Sequence, residues 1–275
     1  MSQLPKLVLL LTLATAVGLG IGLSERASAG SLITVDTTSD VSLAACTADP
    51  ADCSLRGAIT NANAGPSADT IEFNIPASDT GCNGLSGVCT ISPAPATDLP
   101  QVTEPVMIDG LTQPDAGPGN LKIQLTGPED PTDLVGIFIT AGGSGSTIRG
   151  LVINHFEWGI QIIAAGGNII SSNYIGTDPS GTAANGNASA GLSIYVSAGG
   201  NVIGGTGPGE GNVVSGNEGY GLHISSSAVD IIKGNFVGTS AAGTAAIPNA
   251  LGGIRIGNSA GTVIGGAGGG AGNVI

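Results

Sequence analysis

The sequence predicts an all-β solenoid: a right-handed parallel β-helix whose N-terminal end is covered by a short helix. Three observations carry this. The first is a duplication. Asn168–Asn187 (NIISSNYIGTDPSGTAANGN) and Asp230–Asn249 (DIIKGNFVGTSAAGTAAIPN) agree at ten of twenty positions at an offset of 62. Gly200–Val214 and Gly261–Ile275 agree at ten of fifteen at an offset of 61. Duplication at such a period marks a solenoid or an array. The second is a subdivision of that period. A Gly-apolar-x-Ile phrase begins at Gly136, Gly159, Gly191, Gly221 and Gly253, at spacings of 23, 32, 30 and 32. A second apolar phrase follows each, from Thr147, Asn168, Asn201, Asp230 and Thr262. One unit is therefore about half of the duplication. The third is the absence of any helical period: the apolar runs are short, rich in Ile and Val, and broken by Gly.

One coil of a parallel β-helix per unit satisfies all three. A leucine-rich repeat needs evenly placed leucines and a shorter period, and a propeller needs longer, more aromatic strands. In a coil, each short strand pairs with its equivalent about 4.8 Å along the axis. Ile and Val face a narrow core, and Gly or Asn takes the left-handed corners. Asn173, Asn217 and Asn235 each close a strand-turn phrase and are candidates for a stacked amide ladder; isolated turn asparagines are the competing reading.

Taken in order, residues 1–29 read as a secretory signal. Lys6 supplies the charged start, Leu7–Leu23 the apolar stretch and Ala27-Ser28-Ala29 a small-x-small cleavage site. An uncleaved anchor is the competing reading, since seventeen apolar residues just suffice to span. Export places the protein in a secreted or cell-surface location. Residues 30–69 read as an N-terminal capping segment, and 70–275 as the β-helix.

The four cysteines, Cys46, Cys53, Cys82 and Cys89, permit three disulfide connectivities. The equal spacing favours the local pairs Cys46–Cys53 and Cys82–Cys89 in an oxidising compartment. Zinc is disfavoured because no histidine lies nearby and the spacing is not a zinc-knuckle spacing. Ser54–Ala62 (SLRGAITNA) places Leu55, Ala58, Ile59 and Ala62 on one helical face, with Ser54 as N-cap.

The phrase CSLRGAITNANA, followed by DTIEFNIP, resembles the CSLREA-type N-terminal domain of secreted bacterial β-helix proteins with a pectin-lyase-like fold. LPQVTEPVMIDGLTQP and the later GNYIGTD-, GGT- and GNVI-like phrases agree with those proteins over most of the mature chain. Where the resemblance implies Glu, this chain has Gly57. That Glu would complete a capping box with Ser54, so its loss implies a weaker helix by about 1 kcal/mol.

Composition restricts function. Aromatic residues are 3% and charged residues 10% of the chain, with a net charge of −13. An acidic chain lacks the basic patches that nucleic acid or an anionic membrane requires, so neither is an expected partner beyond the signal segment. Fourteen of the twenty acidic residues lie between Gly30 and Val135, which leaves the repeats nearly neutral.

Glycoside hydrolysis needs two positioned carboxyls, one to protonate the leaving oxygen and one to drive attack. The repeats offer only Glu157, Asp178, Glu210, Glu218 and Asp230, none conserved between the copies. A lyase-like arrangement would need Arg149 or Arg255 near acids, with Glu157 near Arg149 as the suggestive case. His155 and His223 lack a nucleophile pattern in sequence and read as surface or turn residues. The run Glu129-Asp130-Pro131-Thr132-Asp133 offers oxygen ligands for weak Ca2+ binding, against an ordinary acidic turn. No catalytic, metal or cofactor residues are assigned.

The function expected is that of an exported, non-catalytic β-helix: a structural, adhesin-like or glycan-contacting protein at the surface. Its partners would be extracellular polysaccharide or cell-surface components. The alternative is a carbohydrate-active lyase or hydrolase. The last phrase, AGNVI, breaks off where the earlier copy continues into another coil, so the sequence reads as a truncated solenoid.

Overall fold

The computed structural model describes residues 30–95, 97–128 and 132–275. The expected signal segment lies outside them, as do Glu129, Asp130 and Pro131 of the acidic run. Among the described residues no helix is long and apolar enough to cross a membrane.

Nineteen short strands form three parallel sheets. The first sheet stacks eight strands: Leu32–Val35, Asp69–Phe73, Val106–Asp109, Thr147–Arg149, Ile169–Ser171, Val202–Gly204, Ile231–Lys233 and Val263–Ile264. The second stacks six: Cys89–Ile91, Ile123–Thr126, Leu151–Asn154, Tyr174–Ile175, Val213–Val214 and Phe236–Val237. The third stacks five: Val135–Ile139, Trp158–Ile163, Ala190–Tyr195, Tyr220–Ser225 and Gly252–Gly257. From Ile123 onward the chain visits the three sheets in turn and returns to each one coil later; among the described residues the earlier coils have no strand in the third sheet. This is a right-handed parallel β-helix, the hand that twisted strands impose on parallel crossovers. Every Gly-apolar-x-Ile phrase lies in the third sheet. The first sheet starts at Leu32, inside the segment read from sequence as a cap.

Register explains the β-branched composition. In the first sheet Ile33, Ile71, Ile108, Ile148, Ile170, Ile203, Ile232 and Ile264 lie in one column, one residue per coil. Those from Ile33 to Ile232 are buried. Ile91, Leu125, Ile153, Ile175, Val214 and Val237 form the matching column of the second sheet. The third sheet contributes two columns, one through Ile137, Ile160 and Leu192 and one through Ile139, Ile162 and Ile194. Each buried aliphatic contributes about 1.5–3 kcal/mol.

The duplication spans two coils because successive coils place their long loop at different corners. Residues 177–186 and 239–247 leave the second sheet toward the third. Residues 205–211 and 266–272 leave the first sheet toward the second.

Inward asparagines form three ladders rather than one. Asn173, Asn212, Asn235 and Asn273 stack with Nδ2 donating to the next Oδ1 at 3.1, 2.9 and 2.9 Å. Asn187, Asn217 and Asn249 form a second, at 2.9 and 2.8 Å. Asn168, Asn201 and Asp230 form a third, at 2.8 Å per step. Asn173 and Asn235 thus share a ladder across two coils, whereas Asn217 belongs to another. Each ladder also satisfies corner backbone amides, such as Leu151 N donating to Asn173 Oδ1 and Phe156 N donating to Asn187 Oδ1. Donation from side chain to side chain runs toward the C-terminal coils, so within the ladder a last member needs only to accept. Aspartate at position 230 suffices for that, with Ser227 donating to its other oxygen.

The left-handed corners after the third sheet are not glycines. Ala164, Val196, Ser226 and Asn258 stack there with φ of 58, 50, 55 and 51°. Close backbone approach, rather than positive φ, decides another glycine. The N-terminal helix is Leu55–Ala62, capped by Ser54, whose Oγ accepts from Gly57 N at 3.1 Å. Leu55, Ala58, Ile59 and Ala62 are buried against the first coil. A Cβ on Gly57 would lie 1.7 Å from the Leu43 carbonyl oxygen. The glycine expected to be a defect of the helix is therefore required by its packing.

Disulfides join Cys46 to Cys53 and Cys82 to Cys89. The first clips the loop leading into the helix, and the second ties the 76–88 loop to the first strand of the second sheet.

Candidate functional site

Residues that alternate with the core columns face outward, and the three outer faces differ. On the first sheet one outer column is largely apolar, through Met107, Ile169, Val202 and Val263, and the other is polar and charged, through Glu72, Asp109, Arg149 and Lys233. There Arg149 Nη2 meets Asp109 Oδ2 at 2.5 Å, which holds the guanidinium's pKa above its ordinary value. Arg149 therefore pairs across the first sheet, and the suggested pairing with Glu157 does not form.

The outer column of the second sheet is apolar but covered. Val152, Tyr174 and Val213 are buried there. The 177–186 and 239–247 loops bond to each other through Ala241 N and Gly181 O at 2.9 Å, and Gly181 packs on the Tyr174 ring. A cavity of about 430 Å³ remains, lined by Pro118, Tyr174, Pro208 and Phe236 among others. Its floor is a satellite core that holds the loops.

The third sheet presents the open face. Its chain positions carry Phe138, Trp158, Tyr195 and Tyr220, four of the eight aromatic residues in a chain with four Phe, three Tyr and one Trp. Register aligns Trp158, Ala190 and Tyr220 in one outer column. The rings of Trp158 and Tyr220 thus sit two coils apart, about 9.6 Å at the ordinary strand spacing. A second column runs through Phe138, Gln161, Ser193, His223 and Arg255.

The groups on this face touch one another. Tyr195 Oη lies 2.8 Å from His223 Nδ1, with the two rings edge-on at 5.2 Å between centroids. Tyr220 stacks at a tilt on His223 at 5.5 Å. The Arg255 guanidinium lies 5.2 Å over the Tyr220 ring. Burial, helped by the nearby Arg255 charge, lowers the His223 pKa and so favours the neutral imidazole. His223 is thus a strand residue within an aromatic cluster, not a turn residue. His155 is exposed at a corner with φ 58°, as expected for a turn. Ser193, the register neighbour of His223, is fully buried with no hydrogen-bond partner for its Oγ.

Carboxylates flank the start of this face. Burial raises the Glu157 pKa, and the charges of Asp133 and Glu218 add to the rise against a hydrogen bond from Ser189. The remaining repeat acids serve structure. Asp178 accepts from the Thr182 and Ala183 amides at 2.9 Å and organises its own loop. Glu210 accepts from Gly207 N at 2.8 Å, and Asp230 ends a ladder.

Sequence reasoning missed the aromatic face because its members on successive coils are 20 to 37 residues apart in the chain. The signal was present: Trp158 and Tyr220 stand one residue before a Gly-apolar-x-Ile phrase, and Phe138, His223 and Arg255 at its third position.

The fold and this face define a parallel β-helix with one exposed aromatic sheet. No family model matches the chain, and no curated protein matches it. Among solved structures, it is similar to the Dettilon tailspike protein (gp208) at 14% identity and a TM-score of 0.26, over 66% of this chain and 46% of that one. The chain therefore spans less than half of that structure, and so low a TM-score decides nothing about function.

Proposed function

We propose that this chain is an exported, non-catalytic β-helix protein, of the kind its CSLREA-like segment suggests, whose third-sheet face contacts glycans outside the cell. The observation that carries this reading is the concentration of Trp158, Tyr195, Tyr220 and Phe138 on one flat, partly exposed face of a chain otherwise poor in rings. The apolar C–H faces of sugars pack on such rings while their hydroxyls reach polar neighbours such as the half-buried His223. A rigid solenoid holds the rings at fixed spacing, so little conformational entropy is lost on binding.

A glycan array probed with the purified chain, with and without Ca2+, tests this reading. Binding should fall at least tenfold in a Trp158→Ala/Tyr220→Ala variant that retains the wild-type circular dichroism spectrum. Undiminished binding by that variant, or no binding to any glycan, would refute it. A carbohydrate-active enzyme is the second reading, favoured by the raised pKa of Glu157 beside Glu218 and Asp133. Depolymerisation of an array ligand, abolished by Glu157→Gln, would establish it in place of the first.

A further inference from the structure

We propose that the glycan taken by the third-sheet face carries an anionic substituent, carboxylate or sulfate, and that Arg255 with His223 is the subsite that receives it. This rests on the glycan-contacting reading and specifies its ligand.

Arg255 is one coil beyond His223 in the same outer column. Its side chain is exposed. Arg56 and Arg149 are each paired with a carboxylate, Asp40 and Asp109. Among the described residues Arg255 has no such partner. Its contacts are the Tyr220 ring and a long 3.3 Å approach of Nη1 to Tyr220 Oη. Stacking on the ring orients the guanidinium plane, and one hydrogen bond, from Nη1 to Tyr220 Oη, leaves its other donors open. The fork of N–H groups is thus held ready for a planar or tetrahedral oxyanion, which it can bind through two parallel hydrogen bonds.

His223 adds a neutral donor. In the tautomer in which Tyr195 Oη donates to Nδ1, the imidazole proton resides on Nε2 and is free to donate. The unpartnered Ser193 Oγ lies one coil behind in the same column, a buried polar atom that the protein itself leaves unsatisfied. Buried hydroxyls normally find a partner.

The acidic flank does not pair with this site: Glu218 is two residues before Tyr220, and among the described residues it forms no ion pair with Arg255.

The test uses the whole chain and three probes: dextran sulfate, alginate and uncharged dextran, with binding read by isothermal titration calorimetry. Dextran sulfate and dextran share a backbone, so their comparison isolates the sulfate; alginate supplies the carboxylate. Wild type should bind at least one anionic probe tenfold or more tightly than dextran, with affinity falling as salt rises. Arg255→Gln should lose that advantage, and Arg255→Lys should restore part of it. Equal affinity of wild type for charged and uncharged chains, or an Arg255→Gln variant that keeps the preference, overturns the inference and leaves the glycan reading standing. Failure of all three probes together with a blank glycan array overturns both.

Discussion

Truncating Asn212 to alanine removes the middle of the longest amide ladder. Four hydrogen bonds disappear. Asn212 Oδ1 accepts from Asn173 N at 3.0 Å and from Asn173 Nδ2 at 3.1 Å. Asn212 Nδ2 donates to Asn235 Oδ1 at 2.9 Å and to Ile170 O at 2.7 Å. All of these atoms lie in a core from which water is excluded. The Asn173 N–H is left with no acceptor, costing about 1–3 kcal/mol, and the other three bonds each cost about 1 kcal/mol. The expected loss is about 4–6 kcal/mol, read from guanidinium unfolding followed by far-ultraviolet circular dichroism. Asp230→Asn provides the control. Asp230 only accepts, from Asn201 and Ser227, and the Ser227 hydroxyl can rotate to accept in turn. That variant should stay within about 1 kcal/mol of wild type, the size of one net hydrogen bond. A cost below about 1 kcal/mol for Asn212→Ala, or equal costs for the two variants, would show that the ladders do not hold the coils as described.

Three further outcomes are expected. Val196 holds φ 50° in an exposed corner, so Val196→Asn should raise stability by about 1 kcal/mol in the same unfolding assay, because asparagine tolerates the left-handed region. Gly57→Ala should destabilise by about 3 kcal/mol, since the new methyl would displace the Leu43 backbone; a stabilised variant would mean that helix propensity governs this position after all. Glu157 has a folded-state pKa above its usual 4.5. The folded chain therefore binds the proton more tightly than the unfolded chain, and stability from this group falls as pH rises through that range. Glu157→Gln should be more stable than wild type at pH 7, with the difference vanishing below the usual value; a difference that grows on acidification would reverse the sign argued here.

The sequence by itself determined the β-helix. A period near 30 residues, short Ile/Val runs and frequent glycine leave no other way to bury the apolar positions, and register follows because each coil repeats the last. It also determined the helix at residues 55–62 and favoured the two local disulfides, since caps and short loops are local features. Only the tertiary structure decided which asparagines share a ladder, because Asn212 enters between Asn173 and Asn235 from a phrase of different wording. Only the three-dimensional structure placed Ala164, Val196, Ser226 and Asn258 at the left-handed corners in place of glycine, and only the approach of Leu43 made Gly57 necessary. The aromatic face was decided in the same way. Trp158, Tyr195, Tyr220, His223 and Arg255 are remote in the chain, and the pairing of parallel strands one coil apart brings their side chains onto a single surface.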